Sequence, residues 1–157
     1  MVPAELETMK PNAPGTGVVG TRWEHFSHQS DIGVRGVGAT MEEAFEQGAM
    51  ALTAVITNVN FLEPKSLVEV LCDAPNDELL FVDWLNAIVY EMATRKMLFC
   101  RFNVHIDHGH LQGSLWGQQV DIAKHEPATE VKGATYTELQ VRRDPGGAWI
   151  AQCVVDV

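Results

Sequence analysis

Three groups near the two ends of the globular part of the chain could together bind a divalent cation. Asp31 lies within residues 28–33, and Asp156 precedes Val157, the last residue of the sequence. The terminal dipeptide would present a side-chain carboxylate beside an α-carboxylate, and Asp31 would add a third. Ca²⁺, Mg²⁺ and Mn²⁺ prefer such oxygen-only ligands. On spacing alone, a turn aspartate and a solvated terminal aspartate are the more common explanation of the pattern.

Two further residues could act beside these carboxylates. His28 could orient Asp31 or transfer a proton, since imidazole titrates near neutral pH, although a histidine bonded within the fold is the alternative. His25, His28 and Asp31 recur at intervals of three, but the surrounding glycines and valines indicate strand and turn instead of a helical metal site. Lys132, in the polar segment 121–136, could neutralise an acidic cluster or bind a phosphate of a partner's nucleotide. An exposed structural connection also fits that segment.

Two amphipathic helices are predicted among the elements that position these groups. Thr40 and Glu43 form a capping-box pattern, in which Thr40 accepts from the Glu43 amide and the Glu43 side chain returns to Thr40. Apolar residues follow at intervals of three and four, so one face should lie on a sheet. A second helix, from about Pro75 to Arg95, is apolar around most of its circumference and should be largely buried. Three polar residues of this helix recur at helical spacing along one line and are interpreted as structural: Asp83, Asn86 and Tyr90.

Alternating apolar and polar residues predict the strands. Residues 98–107 alternate most regularly, and His108 and Gly109 then form a tight hairpin turn. A second turn at 144–147 precedes the last strand, in which Asp156 points away from the apolar side. The order of elements predicts an α+β fold with two main helices packed on a mixed, largely antiparallel β-sheet. Shorter strands are predicted at residues 34–38 and 67–72 and around Leu139 and Val141.

Length and composition predict one soluble domain with a tail. The 157 residues suit a single domain, assigned here to residues 21–157. Residues 1–20 contain three prolines and three glycines and are predicted to be a flexible N-terminal tail without a signal peptide. No apolar window reaches the roughly 18 residues of a membrane span. The sequence contains three cysteines, which are widely spaced and lie in apolar runs. This pattern indicates a reduced, cytoplasmic protein.

The charge of the chain limits its partners. With 21 acidic and 11 basic residues the formal net charge is -10, so the chain repels phosphate backbones and stable direct binding of nucleic acid is not expected. A protein or a cation is a better partner. No glycine-rich phosphate loop or nucleophile motif is present in the sequence, which disfavours a self-sufficient hydrolase.

Several blocks of residues, in order along the chain, resemble the archease family. They are residues 23–26 leading into 28–33, residues 81–86, residues 125–132 and the ending Val155-Asp156-Val157. The resemblance spans residues 22–157 and implies the archease fold. It also implies a small metal-binding accessory protein that activates RtcB-type RNA ligases, promoting ligase guanylylation and multiple turnover in tRNA splicing or RNA repair. By the same resemblance Asp31, Asp156 and the α-carboxylate of Val157 hold the metal.

The resemblance leads to a hypothesis about mechanism. The acidic end of the chain would enter the ligase's nucleotide site, where Asp31 and Asp156 position a divalent ion and Lys132 contacts phosphate. The chain would then be an activator and not an enzyme. Gln29 and Thr137 stand where threonine and histidine, respectively, are common in the family. Neither difference removes a carboxylate ligand. The alternatives are a metal-dependent phosphohydrolase and a general chaperone or modulator of an RNA-modifying enzyme.

Overall fold

The computed structural model describes residues 20–157, which form two β-sheets and two long helices. The first sheet has five strands, in the order β1 (Arg22–His28), β2 (Asp31–Gly38) and β8 (Trp149–Asp156), with β6 (Gly133–Ala134) and β7 (Gln140–Arg143) both paired to β8. The second sheet has the order β3 (Ser66–Asp73), β5 (His110–Gln119) and β4 (Met97–Asp107). The helices are α1 (Met41–Ile56), α2 (Asp77–Arg95), the short α3 (Ile122–His125) and a 3₁₀ turn at Val59–Phe61.

This architecture confirms the predicted α+β class with two main helices. The strands divide into two sheets instead of one, and every pair is antiparallel. The alternation within a strand shows that it has two faces but does not show which strand it pairs with. The predicted tail lies outside the described residues except for Gly20. No helix in the described part of the chain is long and apolar enough to cross a membrane.

Helix α1 begins at the predicted cap and lies on the five-stranded sheet. The Thr40 hydroxyl accepts a hydrogen bond from the Glu43 amide at 3.1 Å. The Glu43 carboxylate accepts from the Ala39 amide at 2.9 Å, one residue earlier than the capping-box pattern predicted. Gly36 allows close contact, because a Cβ there would come within 2.0 Å of the Ala44 carbonyl oxygen. Helix α1 therefore packs directly on the backbone of β2.

Helix α2 joins α1 to the three-stranded sheet through a fully buried tryptophan. The Trp84 Nε1 donates a hydrogen bond to the Phe45 carbonyl at 3.0 Å, so its buried polar atom is satisfied. Its ring lies against Gly113, where an added Cβ would come within 2.3 Å of it. Phe45 and Phe81 pack edge to face with centroids 5.1 Å apart. These aromatic contacts place the core between α1, α2 and the second sheet.

Helix α1 also covers the outer edge of β4. The Glu46 carboxylate accepts a hydrogen bond from the Val104 amide at 2.8 Å, and the Thr53 hydroxyl donates to the Phe99 carbonyl at 2.7 Å. Burial raises the pKa of Glu46, and the bond from the Val104 amide only partly offsets that effect. Side chains of α1 thus satisfy backbone groups that an edge strand would otherwise expose.

Candidate metal and partner site

The hairpin between β1 and β2 brings Asp31 next to the last strand. Gln29 turns the chain in the left-handed conformation, with φ 54°, and His28 pairs with Asp31 across the hairpin. On the other side of β2, Ile32 pairs with Val155, so the next residues outward, Asp31 and Asp156, are neighbours. Directly opposite residues of antiparallel strands share a face, with Cβ atoms about 5 Å apart. The two carboxylates therefore project from adjacent positions on one face.

The end of the chain is anchored beside them. Gly133 of β6 pairs with Asp156, and the Lys132 amide donates a hydrogen bond to the Asp156 carbonyl at 2.8 Å. The Thr135 amide donates to the Val154 carbonyl at 3.0 Å. Val157 is consequently half-buried. We refer to Asp31, Asp156 and Val157, which lie together at this end of the sheet, as the acidic tip.

The acidic tip lies on the face of the sheet opposite to α1. Side chains alternate along β2, so Asp31 shares its face with Arg35, whereas Gly36 faces helix α1. Asp31 is half-buried and Asp156 is exposed. Neither carboxylate has an ion-pair partner within residues 20–157. The tip is therefore in contact with solvent and carries negative charge that no ion pair of the described residues offsets.

The chemistry of the tip fits a hard cation. In the described part of the chain no three His, Cys, Asp or Glu side chains are close enough to hold a metal ion. His28 thus does not complete a three-side-chain site with Asp31 and Asp156. A cation at the tip would take those two carboxylates together with the α-carboxylate of Val157, backbone carbonyls or water. Such all-oxygen ligands suit Ca²⁺, Mg²⁺ or Mn²⁺ better than Zn²⁺, whose sites usually include Cys or His.

The other predicted residues differ in where they lie. His28 is half-buried in the same row as Asp31. His25 lies on the opposite face of β1, where its Nε2 bonds the Ala51 carbonyl at 2.8 Å, so the spacing of His25, His28 and Asp31 does not produce a common site. Lys132 is exposed, and its backbone contacts Asp156. The structure thus places the three tip residues and His28 at one end of the sheet, with the Lys132 backbone beside them, and gives His25 a structural role.

Segment 121–136 is not a simple exposed connection, because His125 within it is completely buried. The Asp121 amide donates to His125 Nδ1 at 2.9 Å, so Nε2 carries the hydrogen and bonds Gln118 Oε1 at 3.2 Å. The Thr57 hydroxyl also donates to the His125 carbonyl. These bonds attach the segment that leads to Lys132 to the core. No local pattern in the sequence distinguishes this histidine from an exposed one.

Comparison with known proteins assigns the family. The model of the archease protein family (MTH1598/TM1083) matches residues 23–157. The archease of Pyrococcus furiosus is 39% identical over 140 residues, which cover 87% of this chain and 99% of that protein. The archease of Methanosarcina mazei is 32% identical over 143 residues, covering 88% and 97%.

Solved structures agree with this assignment. The solution structure of protein 1598 of Methanobacterium thermoautotrophicum is 26% identical, covers 86% of this chain and 98% of its own, and superposes with a TM-score of 0.70. The crystal structure of a Thermotoga maritima archease, described as a possible chaperone, is 17% identical, covers 98% and 100%, and shows the same fold with a TM-score of 0.56. The resemblance seen in the sequence is confirmed, and this chain belongs to the archease family.

Proposed function

We propose that this archease holds a divalent cation at the acidic tip and activates an RtcB-type RNA ligase, in tRNA splicing or RNA repair, without turnover of its own. One observation carries the proposal. Asp31 and Asp156 are neighbours on one sheet face, and the end of the chain is anchored beside them by the Lys132 amide. An ordered chain end is what an α-carboxylate ligand requires, whereas a solvated terminus would fray.

Electrostatics supports a ligand supplied from outside. Like charges directly opposite each other in a sheet are destabilising, and the carboxylates of Asp31 and Asp156 have no cationic partner within residues 20–157. A divalent cation would offset that repulsion. The net charge of -10 favours docking on a basic, RNA-binding protein and disfavours stable binding to RNA itself.

In this proposal the acidic tip enters the nucleotide site of the ligase. Asp31, Asp156 and the α-carboxylate of Val157 would hold the ion, His28 would orient Asp31, and the ammonium of Lys132 would contact phosphate. When bound, a divalent ion supplies positive charge that favours nucleotidyl transfer. The ligase provides the nucleophile. The residues of this chain bind and orient, which explains why an activator needs no catalytic base.

The main test measures guanylylation of the cognate ligase with Asp31→Asn and Asp156→Asn proteins. Each substitution removes one ligand charge and keeps the side-chain shape, so stimulation should fall to the level of the ligase alone. Calorimetric titration with Ca²⁺, Mg²⁺ and Mn²⁺ should show the same loss of binding. Glu69→Gln is the matched control, because Glu69 is exposed on the second sheet and should leave both unchanged. Undiminished stimulation by both tip variants would reject the proposal.

The role of the α-carboxylate needs a separate pair of variants. Appending Gly-Ser to Val157 moves the terminal carboxylate away from the tip and should weaken cation binding and stimulation together. Val157→Ala keeps the terminal carboxylate in place and should retain both. If the extended protein is as active as wild type, the α-carboxylate is not a ligand. The role of the two aspartates is decided separately by the Asp31→Asn and Asp156→Asn proteins.

Other functions would give different results in these assays. Hydrolysis of a phosphorylated nucleotide by the isolated protein with Mg²⁺ or Mn²⁺ would indicate a metal-dependent phosphohydrolase. Prevention of client aggregation that is unaffected by Asp156→Asn or by chelation would indicate a general chaperone. Stimulation that requires both the ligase and the tip carboxylates would distinguish the activator from both.

A further inference from the structure

Asn86 links helix α2 to the short strand beside the chain end. Its Oδ1 accepts a hydrogen bond from the Ala134 amide at 2.9 Å. A Cβ added to Gly133 would come within 3.2 Å of the same oxygen, so the Asn86 amide lies directly against β6. The helix is packed into the core next to this contact, because the adjacent Leu85 is completely buried.

Strand β6 is hydrogen-bonded on both of its edges. It contains only Gly133 and Ala134, which pair with Asp156 and Val155 of β8. The Ala134 amide bonds Asn86 and so is directed to the side away from β8. In the described part of the chain β6 pairs only with β8. On the other edge of β6, the Asn86 side chain supplies the acceptor that the backbone carbonyl of a neighbouring strand would otherwise provide.

The contact distinguishes Asn86 from the other members of its polar line on α2. Asp83 and Tyr90 are exposed, and neither side chain makes a hydrogen bond within the described residues. Asn86 is also exposed, yet its amide has a specific backbone partner. Solubility alone would therefore explain the other two side chains but not Asn86.

The position of Asn86 bears on the acidic tip. Lys132 precedes Gly133, and its own amide bonds the Asp156 carbonyl. Upstream, the buried His125 holds the same segment to the core. The segment 125–134 is thus attached at both ends, to the core through His125 and to α2 through the bond from Ala134 to Asn86. A shift of β6 would therefore move Lys132 relative to Asp156.

We infer that Asn86 is a positioning residue, which fixes the Lys132 segment beside Asp156 so that the lysine and the tip carboxylates act on one ligand. This inference rests on the proposed function for the role of the tip. The geometric part, that Asn86 holds β6 in place, is independent of it. Loss of a group that orients a metal-binding residue typically weakens metal affinity about 10- to 100-fold.

The experiment compares Asn86→Ala with Asn86→Asp. Alanine suits an exposed helical position and removes the acceptor, whereas aspartate keeps an oxygen that accepts from the Ala134 amide. Asn103→Ala, an exposed asparagine on β4 of the second sheet, is the matched control. Amide hydrogen exchange at Lys132 and Ala134, the dissociation constant for Mn²⁺ and stimulation of ligase guanylylation are measured for each.

We expect Asn86→Ala to speed exchange at Lys132 and Ala134 without a comparable change in the core of α2. Its Mn²⁺ affinity should fall roughly tenfold, and adding Lys132→Ala should then cost much less stimulation than Lys132→Ala costs in wild type. Asn86→Asp should restore the protection and the dependence on Lys132. A purely structural asparagine would raise exchange throughout the protein and leave the effect of Lys132→Ala unchanged.

The inference is overturned if Asn86→Ala matches Asn103→Ala in all three measurements, or if Asn86→Asp behaves like Asn86→Ala. Failure of the proposed function has a different signature, because wild type itself would then neither bind Mn²⁺ nor stimulate the ligase. In that case the exchange rate at Ala134 still decides whether Asn86 holds β6, and unchanged protection in Asn86→Ala would reject the inference.

Discussion

Two rows of side chains on one face of the five-stranded sheet differ in whether their carboxylates are paired with a cation of the same chain. In the inner row, Glu24, Arg35 and Gln152 occupy paired positions on β1, β2 and β8. In the outer row, His28, Asp31 and Asp156 occupy the equivalent positions at the sheet's end. The inner carboxylate is neutralised by arginines of the same chain, whereas the outer carboxylates have no such partner within residues 20–157.

The inner row is a connected network. Arg35 bonds the Glu24 carboxylate at 2.9 Å and Gln152 Oε1 at 2.8 Å, and its guanidinium lies 4.6 Å from the centre of the Phe26 ring. Burial alone would raise the pKa of Glu24, but the hydrogen bonds from Arg22 and Arg35 outweigh it and lower that pKa. The network ties three strands together. Charges paired within the chain thus link β1, β2 and β8, whereas the tip carboxylates have no cationic partner within residues 20–157.

The largest expected effect on stability comes from breaking the inner row. Arg35→Ala leaves Gln152 Oε1 without its donor and the half-buried Glu24 carboxylate with Arg22 alone, which should cost about 1–3 kcal/mol of unfolding free energy. Urea denaturation measures the loss. Arg101→Ala, at an exposed position of the second sheet without an ion pair in the described residues, is the control. A loss no larger than the control's would show that the network contributes little.

A smaller effect of opposite sign is expected at the tip. With EDTA present, Asp31→Asn should raise the free energy of unfolding by about 0.2–1 kcal/mol, because it removes a like-charge pair. With saturating Ca²⁺ or Mn²⁺ the order should reverse, since only wild type gains stability from binding. Thermal melts with and without the cation measure both. Destabilisation by Asp31→Asn in EDTA would mean that the carboxylate already has a stabilising partner.

The smallest effect concerns pH and separates Glu24 from Glu46. The lowered pKa of Glu24 gives a stabilising contribution that is present above its unfolded value of 4.5 and is lost as pH falls through the folded pKa. The raised pKa of Glu46 gives the reverse, a contribution present below 4.5 and lost as pH rises through its folded pKa. Urea denaturation around pH 4.5 should therefore show slopes that Glu24→Gln and Glu46→Gln change in opposite directions. Changes of the same sign would contradict both assignments.

Elements with a strong local pattern were predictable from the sequence. The Thr40 cap and the apolar stripe after it predicted α1, and Gly109, with φ 79°, forms the predicted turn between β4 and β5. Strand β1 was not predicted as a strand, because polar and aromatic residues occupy both of its faces. The burial of His125 was missed for a different reason, since one of its partners, Thr57, is 68 residues away.

The features of the candidate site likewise divide into those that the local sequence predicts and those that depend on long-range contacts. The sequence by itself determined the helices, the turns, the strong negative charge and the presence of carboxylates near both ends of the domain, because these depend on composition and on interactions between near neighbours. Only the tertiary structure decided that Asp31 and Asp156 are neighbours and that Asn86 contacts β6. The pairing of β2 with β8 joins residues more than a hundred positions apart. That register is set by long-range packing, including α1 on Gly36 and Arg35 between Glu24 and Gln152.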